Sequence, residues 1–149
     1  MDTLRLRAEQ LFVFAGAGVS LSVPAGLPLF GWIRDQLLVQ LGLDRYVPPS
    51  RPEAPRTEQQ QAAAGLVPEP FLLALQRGGV DVAAWLRGTL AGGEPNAAHV
   101  ALAQLAVAGA RVWTVNFDTL IERASPSSLQ VCAWPDTPSG NAQLLKPHG

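Results

Sequence analysis

The side chains best suited to chemistry are few and widely spaced. They are two histidines, His99 and His148; the pair Asn116 and Asp118; and Ser20, at the end of the run Gly16-Ala17-Gly18-Val19-Ser20. An imidazole with an ordinary pKa of about 6.5 suits a general base at neutral pH. His148 follows an apolar, strand-like run and precedes a glycine, and is the candidate for that role. His99 falls on the apolar face of a helical pattern and is read as a hydrogen-bonded core histidine. An asparagine amide donates and accepts at once, so Asn116 can hold a hydroxyl or a water in one orientation. Asp118 is open to two readings, acceptor for a ligand or N-cap of the helix that follows. Glycines let a backbone approach an anion closely, and a following helix aims free N–H groups at it. Leu21 stands where a G-x-G-x-x-G fingerprint needs its third glycine, so a tight strand-to-loop turn is the alternative to a phosphate site here.

The elements that must position these residues alternate between short apolar runs and helical patterns. Residues 3–10 read as a short helix leading into a strand at 11–15, and residues 23–30, with Pro24, Gly26 and Pro28, read as a loop. Residues 32–41 place Trp32, Ile33, Leu37, Leu38 and Leu41 at helical spacing, and Gly42 ends the pattern. Residues 46–57 hold four prolines and read as a polyproline-like connector. Three short helical patterns follow, at 58–65, 69–77 and 80–90, as a small helical insertion. Residues 95–108 form the clearest helix, stopped by Gly109. Beyond it come a strand at 111–115, a helix at 118–123, a strand at 129–134, and a last strand at 144–147. This alternation predicts an α/β fold with a mostly parallel sheet and right-handed crossovers. Ligands in such sheets bind at the carboxyl ends of the strands, where the Gly16, Asn116 and His148 segments all fall.

The composition narrows the classes. A chain of 149 residues, 48% hydrophobic and 15% charged, has the makings of one globular domain with a core. A net charge of −1 with scattered basic residues argues against a nucleic-acid footprint. The single cysteine, Cys132, excludes an internal disulfide framework and a four-cysteine zinc site within these residues. No apolar run reaches the roughly 20 residues a membrane span needs, and no signal-peptide pattern opens the sequence, so a cytoplasmic protein is expected.

Gly16-Ala17-Gly18-Val19-Ser20 followed by Gly26-Leu27-Pro28-Leu29-Phe30 resembles the first signature of the sirtuin superfamily, GAG-x-S and then G-[IL]-P-x-F. Thr114-Val115-Asn116-Phe117-Asp118 and Lys146-Pro147-His148-Gly149 look like two later sirtuin blocks, in the family's order. The resemblance runs from Gly16 to Gly149. It implies a Rossmann-like NAD-binding domain, of which these residues would be the N-terminal portion. It also implies site residues. Gly16, Ala17, Gly18 and Ser20 would bind the cofactor, with Ser20 and the amides of Ala17 and Gly18 facing the pyrophosphate of NAD, and Phe30 would shield the cleaved bond. Asn116 would contact the ribose and position a water, Asp118 would accept from the nicotinamide carboxamide, and His148 would be the catalytic base, with no metal. His99, in a P-x-x-x-H pattern, is also sirtuin-like. Leu29 and Gly31 stand where protein deacylases usually have aspartate and arginine, and Val115 and Phe117 where they have glutamine and isoleucine. These departures, with the missing zinc cysteines, resemble bacterial sirtuin-like NAD hydrolases, often parts of antiphage defence proteins.

Three functions follow as expectations: hydrolysis of NAD to nicotinamide and ADP-ribose, NAD-dependent deacylation of protein lysines, or nucleotide binding without catalysis in an assembly module. As partners, the resemblance implies NAD and a further domain, a partner chain or self-association. An edge strand left open near Leu144 would favour the last.

Overall fold

Two-residue alternation along short apolar runs builds the sheet. The computed structural model describes residues 7–51, 53–133 and 143–147. Four strands are present among them: β1 (Phe12–Ala15), β2 (Arg111–Thr114), β3 (Val131–Ala133) and β4 (Leu144–Lys146). All pair in parallel, in the order β1-β2-β4-β3, with Ala15 opposite Thr114, Val112 opposite Leu144, and Ala133 opposite Lys146. The predicted parallel α/β architecture, Rossmann-like, is the one the chain adopts.

Six α-helices accompany the strands among the described residues: α1 (Phe30–Gln40), α2 (Glu58–Ala64), α3 (Pro68–Arg77), α4 (Val82–Leu90), α5 (Ala97–Val107) and α6 (Leu120–Ala124). The first five lie between β1 and β2, and α2, α3 and α4 are the three helices of the insertion that the sequence predicted. α1 starts two residues earlier than its apolar spacing suggests. Of the predicted first helix, only a 3₁₀ turn at Ala8–Gln10 lies in the described residues. The strand predicted at 129–134 is shorter, and Trp134 lies outside the described residues.

One face of the sheet is sealed by α5 and α6. Ala15, Val112 and Leu144 point into this layer and pack with Leu102, Ala103 and Ala106 of α5 and Ile121 of α6. Burial of this kind contributes about 1.5–3 kcal/mol for each large aliphatic side chain. The opposite side of β1 and β2 carries an aromatic cluster. There the Phe12 and Phe14 rings lie 4.9 Å apart, and Trp113 stands 6.2 and 5.9 Å from them.

The expectation of an open strand near Leu144 is corrected by the topology. β4 lies inside the sheet, hydrogen-bonded to β2 on one side and β3 on the other, and Leu144 is fully buried. The chain passes over the β4 position after β2, forms β3, and returns to fill the gap. Strand order of this kind leaves no mark in the local apolar pattern.

The chain divides into two compact units. One takes the described residues of Met1–Leu27 and Arg87–Gly149, the other is Pro28–Leu86. The first holds the sheet with α5 and α6. The second is helical. In it Arg34 of α1 is buried, pairs with Asp35 and donates to the Ala64 carbonyl at the end of α2. α2 begins at a capping box in which Thr57 and Gln60 exchange hydrogen bonds.

Candidate functional site

β1 ends at Ala15 and runs into Gly16, after which Ala17–Ser20 coil into one 3₁₀ turn. The first bond of that turn joins the Val19 N–H to the Gly16 carbonyl, so the N–H groups of Ala17 and Gly18 lie ahead of its ladder. Neither Gly16 nor Gly18 has a positive φ. Room, not backbone freedom, distinguishes these positions, because a Cβ added at either would enter open space. That is the clearance a ligand lying against the backbone requires.

Ser20 closes the turn and is buried, with 3% of its surface exposed. Its hydroxyl is a junction of three side chains. It donates to Asp118 Oδ2 at 2.8 Å, accepts from Asn116 Nδ2 at 3.1 Å, and lies 3.1 Å from His99 Nε2. The proton positions follow from these contacts. A hydroxyl has one proton to donate, and it is directed at Asp118, so His99 must donate from Nε2. The other ring nitrogen, Nδ1, accepts from the Asn96 N–H at 3.1 Å. His99 is therefore a neutral imidazole protonated on Nε2, a form that burial favours. Burial pushes its pKa below the usual value, and the nearby Asp118 carboxylate only partly opposes this. The expected core histidine is thus what the structure contains.

Asn96 locks the glycine turn from the other side. It caps α5, its Oδ1 accepting from the N–H groups of Ala98 and His99, while its Nδ2 donates to the carbonyls of Val19 and Ser22. The amide uses all four of its hydrogen-bonding sites.

Asn116 and Asp118 lie just beyond the carboxyl end of β2, beside the end of β1. Both are buried, at 5% and 8% exposure. With its Nδ2 held by Ser20, the Asn116 Oδ1 is buried and has no partner among the described residues. Such an orphaned acceptor costs about 1–3 kcal/mol unless something donates to it. Asp118 Oδ1 accepts from the Leu120 N–H at 3.0 Å. The N-cap position of α6 is Thr119 rather than Asp118, and Thr119 makes no side-chain cap; the aspartate one residue earlier supplies the acceptor instead.

The sequence-predicted residues Gly16, Ala17, Gly18, Ser20, Asn116 and Asp118 thus come together in one unit. Ser20 reaches the cluster through its hydroxyl, which is engaged on all sides by protein. Phe30 lies in the helical unit, where its ring meets Phe71 edge-on at 6.1 Å. His148 lies outside the described residues. Sequence reading gave no side-chain role to Asn96, Glu122 or Lys146. Asn96 fell inside the helix read at 95–108, whereas α5 begins at Ala97 and Asn96 is its N-cap. Among the described residues no group of three or more His, Cys, Asp or Glu side chains is placed to hold a metal ion, and no helix is long and apolar enough to cross a membrane. Comparison with protein-family models, curated proteins and solved structures finds no match.

Proposed function

We propose that this chain binds NAD at the carboxyl ends of β1 and β2 and that the complete site hydrolyses its N-glycosidic bond, releasing nicotinamide and ADP-ribose. One observation carries the reading. A single buried hydroxyl gathers Asn116 and Asp118 beside a glycine turn, and leaves the Asn116 Oδ1 buried without a donor. A ribose hydroxyl or an ordered water is the kind of donor that would complete it. The open space beside Gly16 and Gly18, with the N–H groups of Ala17 and Gly18 ahead of the turn, suits a diphosphate near the backbone. The sirtuin-like blocks supply the identity of the nucleotide.

In the proposed reaction, water oxygen bonds to the anomeric carbon as the bond to the pyridinium nitrogen breaks. The bond's electron pair leaves with nicotinamide, and a proton passes to base or solvent. The transition state resembles an oxocarbenium ion. Asn116 would orient the ribose or the water, and Asp118 would accept from the carboxamide through lone pairs not directed at Ser20 and Leu120. His148 would take the proton, a role that rests on the resemblance alone. Binding without cleavage is the second reading. It is favoured by the engagement of both Asp118 oxygens within the protein.

Millimolar NAD should raise the melting temperature of the chain, since a ligand at 100-fold its Kd stabilises by about 2.7 kcal/mol. Asn116→Ala should lower nicotinamide release about 10²-fold, the effect of a lost positioning contact. A folded chain whose melting is unmoved by NAD overturns the reading. Binding without nicotinamide release selects the second one.

A further inference from the structure

Lys146 is the only lysine among the described residues, and it sits on the inward side of an interior strand, 4% exposed. Successive residues of β4 alternate between faces, so Lys146 shares its side with Leu144 and points into the layer that α6 covers. Burying an ammonium is costly unless it is paired and hydrogen-bonded. Two acceptors meet it. One is the main-chain carbonyl of Asp118 at 2.6 Å, the other Glu122 Oε1 at 2.9 Å. Glu122 Oε2 is buried with no partner among the described residues, so the carboxylate depends on this lysine.

We propose that Lys146 is a positioning residue for the site: its ammonium fixes the Asp118 peptide, and through it the aim of the Asn116 and Asp118 side chains. The segment 115–119 has no regular structure between β2 and α6. Its side chains are tied to Ser20 and to the first turn of α6, and Lys146 ties its main chain to the neighbouring strand. The ligand part of this inference rests on the nucleotide reading above. The loop-ordering part does not.

The test uses the full chain and two variants. Lys146→Met with Glu122→Leu removes the buried ammonium together with its partly buried partner, a change that folded proteins commonly tolerate. Glu122→Gln removes the charge pair but keeps the lysine on the Asp118 carbonyl. Hydrogen exchange at the Leu120 amide, which donates to Asp118 Oδ1, is read without any ligand, and NAD affinity is read separately. The double variant is expected to keep the wild-type fold, speed Leu120 exchange at least about tenfold, and weaken NAD by a similar factor, as loss of a charge-assisted hydrogen bond would. Glu122→Gln is expected to leave both within about twofold, because the hydrogen bond to the carbonyl persists. Unchanged Leu120 exchange in the double variant overturns the inference, as do unchanged affinity when wild type binds NAD, an equal effect from Glu122→Gln, or a double variant that cannot fold. Failure of the wild-type chain to bind NAD overturns the nucleotide reading and leaves loop ordering to be decided by the exchange data.

Discussion

At the residue scale, the site is a problem in proton accounting that has one solution. Ser20 donates its one hydroxyl hydrogen bond to Asp118, so His99 must donate to Ser20 and must accept from Asn96. A second proton on His99 would set two donors against each other at the Asn96 N–H. The cap of α5 would fail before the Ser20 contact did. Stability should therefore depend on pH in a definite direction. The folded pKa of His99 is lowered, so below about 6.5 the unfolded chain binds more protons than the folded one. The contribution of this group is full above that pH, and is lost as pH falls from there through the folded pKa. Denaturant unfolding across pH 5 to 8 should show this loss in wild type, and a His99→Gln chain should show a shallower decline. Equal slopes would mean that the ring does not stay neutral in the fold. Sequence alone placed His99 in the core from its helical spacing. It assigned Ser20 to phosphates, because a hydroxyl after two glycines looks the same whether it faces a ligand or three buried side chains 79 to 98 residues away.

At the element scale, the helices were legible wherever a cap or breaker marks them. Gly42 lies just beyond α1, as its spacing implied, and the apolar spacing of α5 is clear, whereas Gly65, read as the last residue of the second pattern, is the C-cap of α2. The connections were less legible, because their geometry answers to distant backbone. Gly93 shows this best. Its φ is +79°, and a Cβ there would collide with the main-chain oxygen of Ala25. The neighbouring Glu94 N–H donates to the Pro24 carbonyl, and Arg123 of α6 donates to the Gly93 carbonyl. The turn before α5 thus pins the segment that follows the glycine turn. Gly93→Ala should cost about 1–3 kcal/mol from backbone strain, with further loss from the collision. Gly92→Ala is the control. That glycine has no positive φ and open space beside it, so the cost should stay within about 0.5 kcal/mol. Both values come from urea unfolding, and equal costs would remove the tight contact from the account.

At the scale of the whole molecule, local pattern gives the class of fold, and long-range pairing gives the order of strands. Apolar runs separated by helices point to a parallel sheet, yet nothing in Leu144-Leu145-Lys146 marks it as an interior strand. Three residues are too few for a periodicity, and the lysine argues for an edge. The structure resolves this by turning Lys146 inward onto two oxygen acceptors and Leu144 into the core, with Leu145 on the other face. A slip of one residue in the pairing of β4 would exchange these faces and bury the wrong side chain. Alanine substitutions at the two leucines therefore read the register directly. Leu144 is fully buried against Val112, Ala106 and Ile121, so Leu144→Ala should cost about 2–5 kcal/mol through lost burial and the cavity left behind. Leu145 is only half-buried, so Leu145→Ala should cost clearly less, about 1 kcal/mol. Denaturant midpoints at constant m-value measure both. If Leu145→Ala proves the more damaging, β4 is paired one residue out of the register described, Lys146 faces away from Asp118, and its role at the site falls with it.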